Sequence, residues 1–142
     1  MNEEAAEEIL TETVKEFRSE VKAWIAKFDT TYKEATRLMS LPMSDEKLPF
    51  KEKYEARELL ENMLKEVEGK QEWLDQSQLV RCAKALMFNK LGTNYYDAEE
   101  ISASEKQNQQ ALSLWLTASK GLQLRFSQQL LDTYNGIGIA LA

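Results

Sequence analysis

Pairs of adjacent carboxylates are the first candidates for chemistry in this 142-residue chain. They occur at Glu3-Glu4, Glu7-Glu8 and Glu99-Glu100, and such pairs can act as general acid and base or give oxygen ligands to a metal ion. Adjacent residues on a helix point about 100° apart, and none of these pairs lies among apolar residues that would raise a carboxyl pKa. We therefore interpret all three pairs as solvated surface.

The other residue types that support catalysis are scarce. The chain has no His and one Cys, which excludes a Ser-His-Asp or Cys-His relay, a histidine-dependent zinc or di-iron site and an intrachain disulfide. It also has no G-x-x-x-x-G-K-[ST] or G-x-G-x-x-G phosphate loop. We interpret Cys82 as a small buried residue and the three tryptophans as interhelical packing, and we predict no catalytic residue, no metal site and no cofactor.

The charge balance narrows the class of partner. The 18 Lys and Arg residues against 24 Asp and Glu residues give a net charge of −6, which argues against binding to nucleic acid. The residues before Lys15 include five Glu and no basic residue, whereas a secretory leader begins with basic residues. No stretch approaches the roughly 18 uncharged apolar residues of a membrane-spanning helix. We expect no membrane insertion and a cytoplasmic location.

Helices are the elements that must position any functional residues. Apolar residues recur every three or four positions from Ala6 to Leu38 and stop before Pro42, which predicts one long helix over 1–41. Residues 42–49 read as a linker. A second stripe begins at Phe50 and ends before Gly69, which is placed for a left-handed C-terminal cap.

Three further helices are predicted after Gly69. The third starts near Asp75, the fourth is opened by a capping box at Ser102-Ala103-Ser104-Glu105, and Gly121 separates the fourth from a fifth that continues to Leu141. No segment alternates with the period of a strand. The prediction is therefore a single all-α unit of about five helices over residues 1–142.

The third helix also carries a repeat signature. Its residues Phe88-x-x-Leu91-Gly92-x-x-Tyr95 fit the first helix of a tetratricopeptide repeat, with Phe in the place of Trp. In that register Ser104 and Ala111 are small residues where the two helices of a hairpin approach closely, whereas Asn108 occupies a position that normally holds a large apolar side chain. The fold is therefore predicted as antiparallel helical hairpins in a tetratricopeptide-like α-solenoid over residues 50–142.

A second, partial copy of the signature follows at Tyr134-x-x-Ile137-Gly138-x-x-Leu141, so the last repeat is expected to be incomplete. In both copies the register places particular residues on the concave side of the array, where a partner helix or peptide would bind. The predicted partner-binding residues are Asn89, Thr93, Tyr96, Asp132, Asn135 and Ile139.

Three segments resemble the KIF-binding protein family, whose members have tetratricopeptide-like repeats and bind kinesin motors. They are Lys51-Glu52-Lys53-Tyr54-Glu55-Ala56-Arg57-Glu58-Leu59-Leu60-Glu61, similar to K-x-K-Y-x-A-R-x-L-L-E; the stretch from Leu91 to Glu105, similar to LG-x-N-x-x-D-x-EE-L-S-A-x-E; and Asn135-Gly136-Ile137-Gly138-Ile139. These segments are collinear and frame nearly all of residues 49–142. The chain lacks the long acidic loop of vertebrate members, and family members are several-fold longer.

The resemblance implies a non-catalytic module that binds kinesin motor domains and regulates their attachment to microtubules. It also implies an association with the cytoskeleton. A structural subunit that docks into a larger assembly through its C-terminal helix is the alternative, because residues 134–142 end apolar without a polar capping helix.

Overall fold

The computed structural model describes residues 3–42, 50–118 and 120–137, with the side chains of residues 19–42, 50–75, 77–118, 120–121 and 123–137. Every regular element in these ranges is a helix, which confirms the all-α prediction. There are seven of them, against about five expected: α1 Glu3–Ser40, α2 Lys51–Val67, α3 Gln71–Gln76, α4 Gln78–Asp97, α5 Ile101–Trp115, α6 Lys120–Arg125 and α7 Ser127–Ile137.

The predicted ends of the first two helices agree with the structure. The helix α1 ends at Ser40, two residues before Pro42. After α2, Gly69 has a φ of +81°, the left-handed conformation that a glycine adopts without strain. Residues 43–49 of the predicted linker lie outside the described residues.

The prediction of one helix starting near Asp75 is wrong, because Ser77 divides that stretch into α3 and α4. Ser77 is extended, with φ −123° and ψ 110°, and its hydroxyl accepts a hydrogen bond of 3.2 Å from the Val80 amide. A serine in this role is an N-cap, so α4 begins at Gln78. Trp73 lies in α3 and packs against Trp24 of α1, with ring centroids 6.5 Å apart.

The predicted capping box at Ser102 is also wrong. The helix α5 already begins at Ile101, and its N-cap residue Glu100 makes no side-chain capping bond. The tight turn before it is made instead by Glu99, whose φ is 64°. The separation assigned to Gly121 comes earlier as well, since α5 ends at Trp115 and Gly121 lies inside α6.

Among the described side chains, the core consists of two clusters. The larger joins α1, α2, α3 and α4 and is apolar and aromatic; its fully buried members include Leu60, Met87 and Leu91. The smaller joins α4 and α5 to α7 and contains Cys82 and Trp115. The three tryptophans and Cys82 are buried, as predicted, and burial raises the pKa of the Cys82 thiol.

Neighbouring helices account for most of the packing. The helix α4 packs most extensively against α5, α1 packs against α2, and α7 packs against α5 and α4. The helix α4 also contacts α1 and α2. It is therefore covered on opposite sides, and it carries residues of both clusters.

Candidate protein-binding face

Two of the segments that carry the family resemblance contact each other. The Arg57 Nε of α2 donates to Asn94 Oδ1 at 2.9 Å, and its Nη2 donates to Glu100 Oε2 at 2.8 Å. Asn94 in turn donates to the Lys53 carbonyl at 2.7 Å, and Lys53 Nζ lies 3.1 Å from Asp97 Oδ2. We call this group the Arg57 cluster. It fixes α2 to α4 and to the turn before α5.

Aromatic rings complete the Arg57 cluster. The guanidinium carbon of Arg57 lies 3.8 Å from the centroid of the Tyr95 ring and 4.8 Å from that of Tyr54. The Tyr95 hydroxyl donates to Glu61 at 2.8 Å, and desolvation, followed by this bond, raises the pKa of Tyr95. Arginine suits this position because its planar fork can bond to side-chain oxygens in its plane while its face stacks on aromatic rings.

A second polar group lies where α4, α5 and α7 meet. Asn108 of α5 is 4% exposed and fits between two helical glycines, Gly92 of α4 and Gly136 of α7. A Cβ atom at Gly92 would lie 2.5 Å from Asn108 Nδ2, and one at Gly136 would lie 2.6 Å from Asn108 Cγ. Glycine inside a helix costs about 1 kcal/mol relative to Ala, and the close approach of Asn108 accounts for both glycines.

The polar atoms of this junction are paired with one another. Asn89 Nδ2 lies 3.0 Å from Thr133 Oγ1 and 3.5 Å from Asn108 Oδ1, and Asn108 Nδ2 donates to the Ser104 carbonyl at 3.1 Å. The Ser104 hydroxyl donates to the Gly92 carbonyl at 2.7 Å. We call Asn89, Gly92, Ser104, Asn108, Thr133 and Gly136 the asparagine junction. The close contact predicted between Gly92 and Ser104 is confirmed.

The predicted partner-binding residues do not share one environment. The expectation that Asn89 faces a partner is wrong in its placement, because Asn89 is 7% exposed and contacts Thr133 of α7. Thr93 and Tyr96 follow it on the same side of α4 and are exposed, Tyr96 by 63%. Asp132 and Asn135 are exposed on α7, and Ile139 lies outside the described residues.

Two residues that the repeat register did not predict contact each other across α1 and α4 and feel the charge of Asp132. Lys90 of α4 places its ammonium nitrogen 5.2 Å from the centroid of the Tyr32 ring of α1. Burial raises the pKa of Tyr32 to about 12, with Asp132 adding to the rise, whereas burial lowers the pKa of Lys90. Tyr32 and Lys90 thus join α1 to α4, and the charge of Asp132 on α7 acts on both, an arrangement that no sequence spacing indicates.

We call the surface that these residues form the exposed polar face; its exposed residues are Thr93, Tyr96, Asp132 and Asn135, and the half-buried Tyr32 and Lys90 complete it. It offers a cation, a carboxylate, hydroxyl and amide groups and one large exposed aromatic ring, a combination suited to binding the surface of another protein. Within the described side chains, no group of three or more Cys, Asp and Glu residues is placed to hold a metal ion.

No helix in the described ranges combines the length and apolarity needed to cross a bilayer. No protein-family model, curated protein or solved structure matches the chain.

Proposed function

We propose that the chain is a non-catalytic protein-binding module, built as a tetratricopeptide-like array, that binds a partner through the exposed polar face. The observation that carries the proposal is the set of exposed, chemically mixed side chains contributed by α4 and α7. Tyr96 is the residue expected to contribute most, because a ring that is 63% exposed offers a large contact area with few rotatable bonds.

Pairings between helices support the array. Lys27 of α1 pairs with Glu66 of α2, and Arg37, later in α1, lies near Glu55, earlier in α2. The helices α1 and α2 are therefore antiparallel. The same antiparallel order relates α4 to α5, where Gly92 contacts Ser104 and the earlier residue Asn89 contacts Asn108. We infer two antiparallel hairpins followed by α7 as the first helix of a third.

The identity of the partner rests on the family resemblance, which implies a kinesin motor domain. The Arg57 cluster supports that resemblance physically, since the matching residues Lys53, Arg57, Asn94, Asp97 and Glu100 contact one another in the fold. These contacts fix one inferred hairpin to the next, which gives a structural reason for residues of these types at the matching positions. The proposed action is to mask the microtubule-binding surface of the motor.

Microtubule co-sedimentation of a kinesin motor domain from the same organism tests the proposal. We expect increasing amounts of the chain to move the motor from the pellet to the supernatant, and Tyr96→Ala to weaken this effect at least about tenfold. Leu79→Ala is the control, because Leu79 is 55% exposed on α4 and lies outside both the exposed polar face and the Arg57 cluster. No effect of the chain on microtubule binding by any motor tested would contradict the kinesin proposal.

A structural subunit remains the second candidate, favoured by the exposed leucines at the C-terminal end of the described chain. Leu124 of α6 is 76% exposed and Leu131 of α7 is 36% exposed. In this version the surface of α6 and α7 docks onto a larger assembly. Sizing the native chain in a cell extract tests it: elution with a large complex is expected, and elution at the size of the isolated recombinant chain would contradict it.

A further inference from the structure

A cavity between α4 and α5 shares no residue with the exposed polar face, the Arg57 cluster or the asparagine junction. Its volume is about 420 Å³, which lies within the range of small-molecule sites. Its charged residues are Lys84 of α4 and Lys106 of α5, and its apolar residues are Phe88 and Leu114. None of the residues that line it is acidic. We call it the lysine cavity.

The lysine cavity and the exposed polar face use different sides of α4. Each residue of an α-helix is rotated by about 100° from the one before it. Phe88, four residues after Lys84, therefore lies within about 40° of it, whereas Thr93, nine residues after Lys84, lies about 180° away. A ligand in the lysine cavity would leave Thr93 free for a protein partner.

The two lysines of the cavity have no carboxylate partner among the described side chains, since no ion pair there includes Lys84 or Lys106. The Lys84 ammonium nitrogen lies 5.7 Å from the centroid of the Phe88 ring. Burial lowers the pKa of Lys84, and the carboxylate of Glu68 opposes that change. An anion bound beside Lys84 would stabilise its charged form, which burial disfavours. The cavity therefore suits a negatively charged ligand.

Carboxylates around the cavity limit the size of that ligand. Residues 76–96 and 106–131 contain no Asp or Glu, but Glu105 precedes Lys106 and Glu68 acts on Lys84. The chain as a whole has a net charge of −6. An extended polyanion such as nucleic acid would meet these carboxylates, whereas two ammonium groups are enough for a ligand with one or two negative charges. A small anion is therefore favoured.

The uncharged lining indicates what the rest of the ligand is. Phe88 and Leu114 are half-buried and pack against the smaller core cluster, so the cavity has a fixed apolar wall. The exposed side chains of Gln109, Gln110 and Ser113 add amide and hydroxyl groups to it. Small-molecule sites combine an apolar wall with a few polar groups that fix the orientation of the ligand. The matching ligand has an apolar ring or chain and one acidic group.

We propose that the lysine cavity binds a small organic carboxylate, whose acidic group faces Lys84 and Lys106 and whose apolar body contacts Phe88 and Leu114. Charge supplies the orientation of the ligand, and the apolar wall adds contact area. This site goes beyond the proposed binding of a protein partner and does not depend on it, because the two surfaces share no residue.

Calorimetric titration of the full chain with 4-phenylbutyrate tests the site. We expect one site per chain with a dissociation constant at or below about 1 mM. Lys84→Gln and Lys106→Gln should each weaken binding by at least about tenfold, because each removes a charged donor. Lys22→Gln is the matched control, since it removes the same charge at an exposed residue of α1 that does not line the cavity. Circular dichroism establishes that each variant is folded.

Two further probes separate the charge from the apolar contact. Acetate has the carboxylate without the ring, and 4-phenylbutyramide has the ring without the charge. Each is expected to bind at least about tenfold more weakly than 4-phenylbutyrate. No binding of 4-phenylbutyrate at about 10 mM, equal affinity for the acid and its amide, or equal losses for Lys106→Gln and Lys22→Gln would overturn the proposal. Because Lys106 is exposed, its variant gives a valid test even if Lys84→Gln fails to fold.

Discussion

The two interfaces of α4 are stabilised by different physical means. Towards α1 and α2, α4 buries large apolar side chains such as Met87 and Leu91 in the larger core cluster. Towards α5 and α7, its contacts include the asparagine junction, where two glycines let helices approach and four polar side chains pair. The first interface gains stability from the area that it buries, and the second is set by an exact fit that admits no added atom.

This difference shows how a short helical array can set its geometry. Apolar packing tolerates small rotations of a helix, because many arrangements bury similar area. A buried amide is more restrictive, since any shift that separates Asn89 from its partners leaves unpaired polar atoms inside the protein. We infer that the asparagine junction fixes the angle of α7 and, through Asp132, part of the exposed polar face.

The largest expected effect lies in the apolar interface. Leu60 is fully buried, so Leu60→Ala removes most of a core side chain and should lower the free energy of unfolding by about 3 kcal/mol. The control Leu79→Ala, at a residue 55% exposed, should change it by less than about 0.5 kcal/mol. Urea denaturation measures both, and equal losses would mean that Leu60 does not belong to the core.

The next effect tests the fit of the asparagine junction. Gly92→Ala improves helix propensity by about 1 kcal/mol, yet the new Cβ overlaps Asn108, so we expect a net loss of about 2 kcal/mol. With Asn108→Ala already present, the overlap is removed and the same Gly92→Ala step should become neutral or stabilising.

A double-mutant cycle in urea denaturation measures that coupling. A second cycle uses Gly136 in place of Gly92: a Cβ at Gly136 also overlaps Asn108, so Gly136→Ala should likewise be relieved by Asn108→Ala. Additive losses for Gly92 and Asn108 would show that no such contact exists.

A smaller effect is expected in the Arg57 cluster. Arg57→Lys keeps the charge but loses the planar fork that bonds to Asn94 and stacks on Tyr95, so stability should fall by about 1 kcal/mol. The midpoint of thermal unfolding measures the loss. Arg37→Lys is the matched control, since Arg37 pairs with Glu34 on the exposed surface of α1, and the midpoint of this variant should equal that of the wild type. An equal shift for both would place Arg57 among ordinary surface arginines.

The last effect is confined to alkaline solution. The folded-state pKa of Tyr32 is raised from 10.0 to about 12, so the folded protein retains this proton where the unfolded chain loses it. The resulting stability is complete below pH 10 and is lost as the pH rises from 10 to about 12. Urea denaturation at pH 8 and pH 11 should show a smaller decline for Tyr32→Phe than for wild type; identical declines would mean that the Tyr32 hydroxyl is not desolvated in the fold.

Local signals predicted much of the fold, and contacts distant in sequence were the ones that escaped. Pro42 and Gly69 act on their own neighbours, so the ends of α1 and α2 could be placed from sequence. Ser77 was missed because its capping role depends on an extended backbone that no apolar pattern marks.

The candidate site could be predicted only in part, for the same reason. The repeat register placed Gly92 and Ser104 together correctly, but it treated Asn108 as a mismatch and Asn89 as a surface residue. Their pairing requires Gly136 and Thr133 of α7, which meet them only in the folded chain. Tyr32 and Lys90 were missed likewise, because α1 lies beside α4 only after folding.

Calorimetric titration of a kinesin motor domain from the same organism into the chain tests the central claim most directly. The account predicts measurable binding, a loss of at least about tenfold in affinity for Tyr96→Ala and no change for Leu79→Ala. An absence of binding would contradict the kinesin proposal, and an affinity that Tyr96→Ala leaves intact would contradict the claim that the exposed polar face is the partner-binding surface.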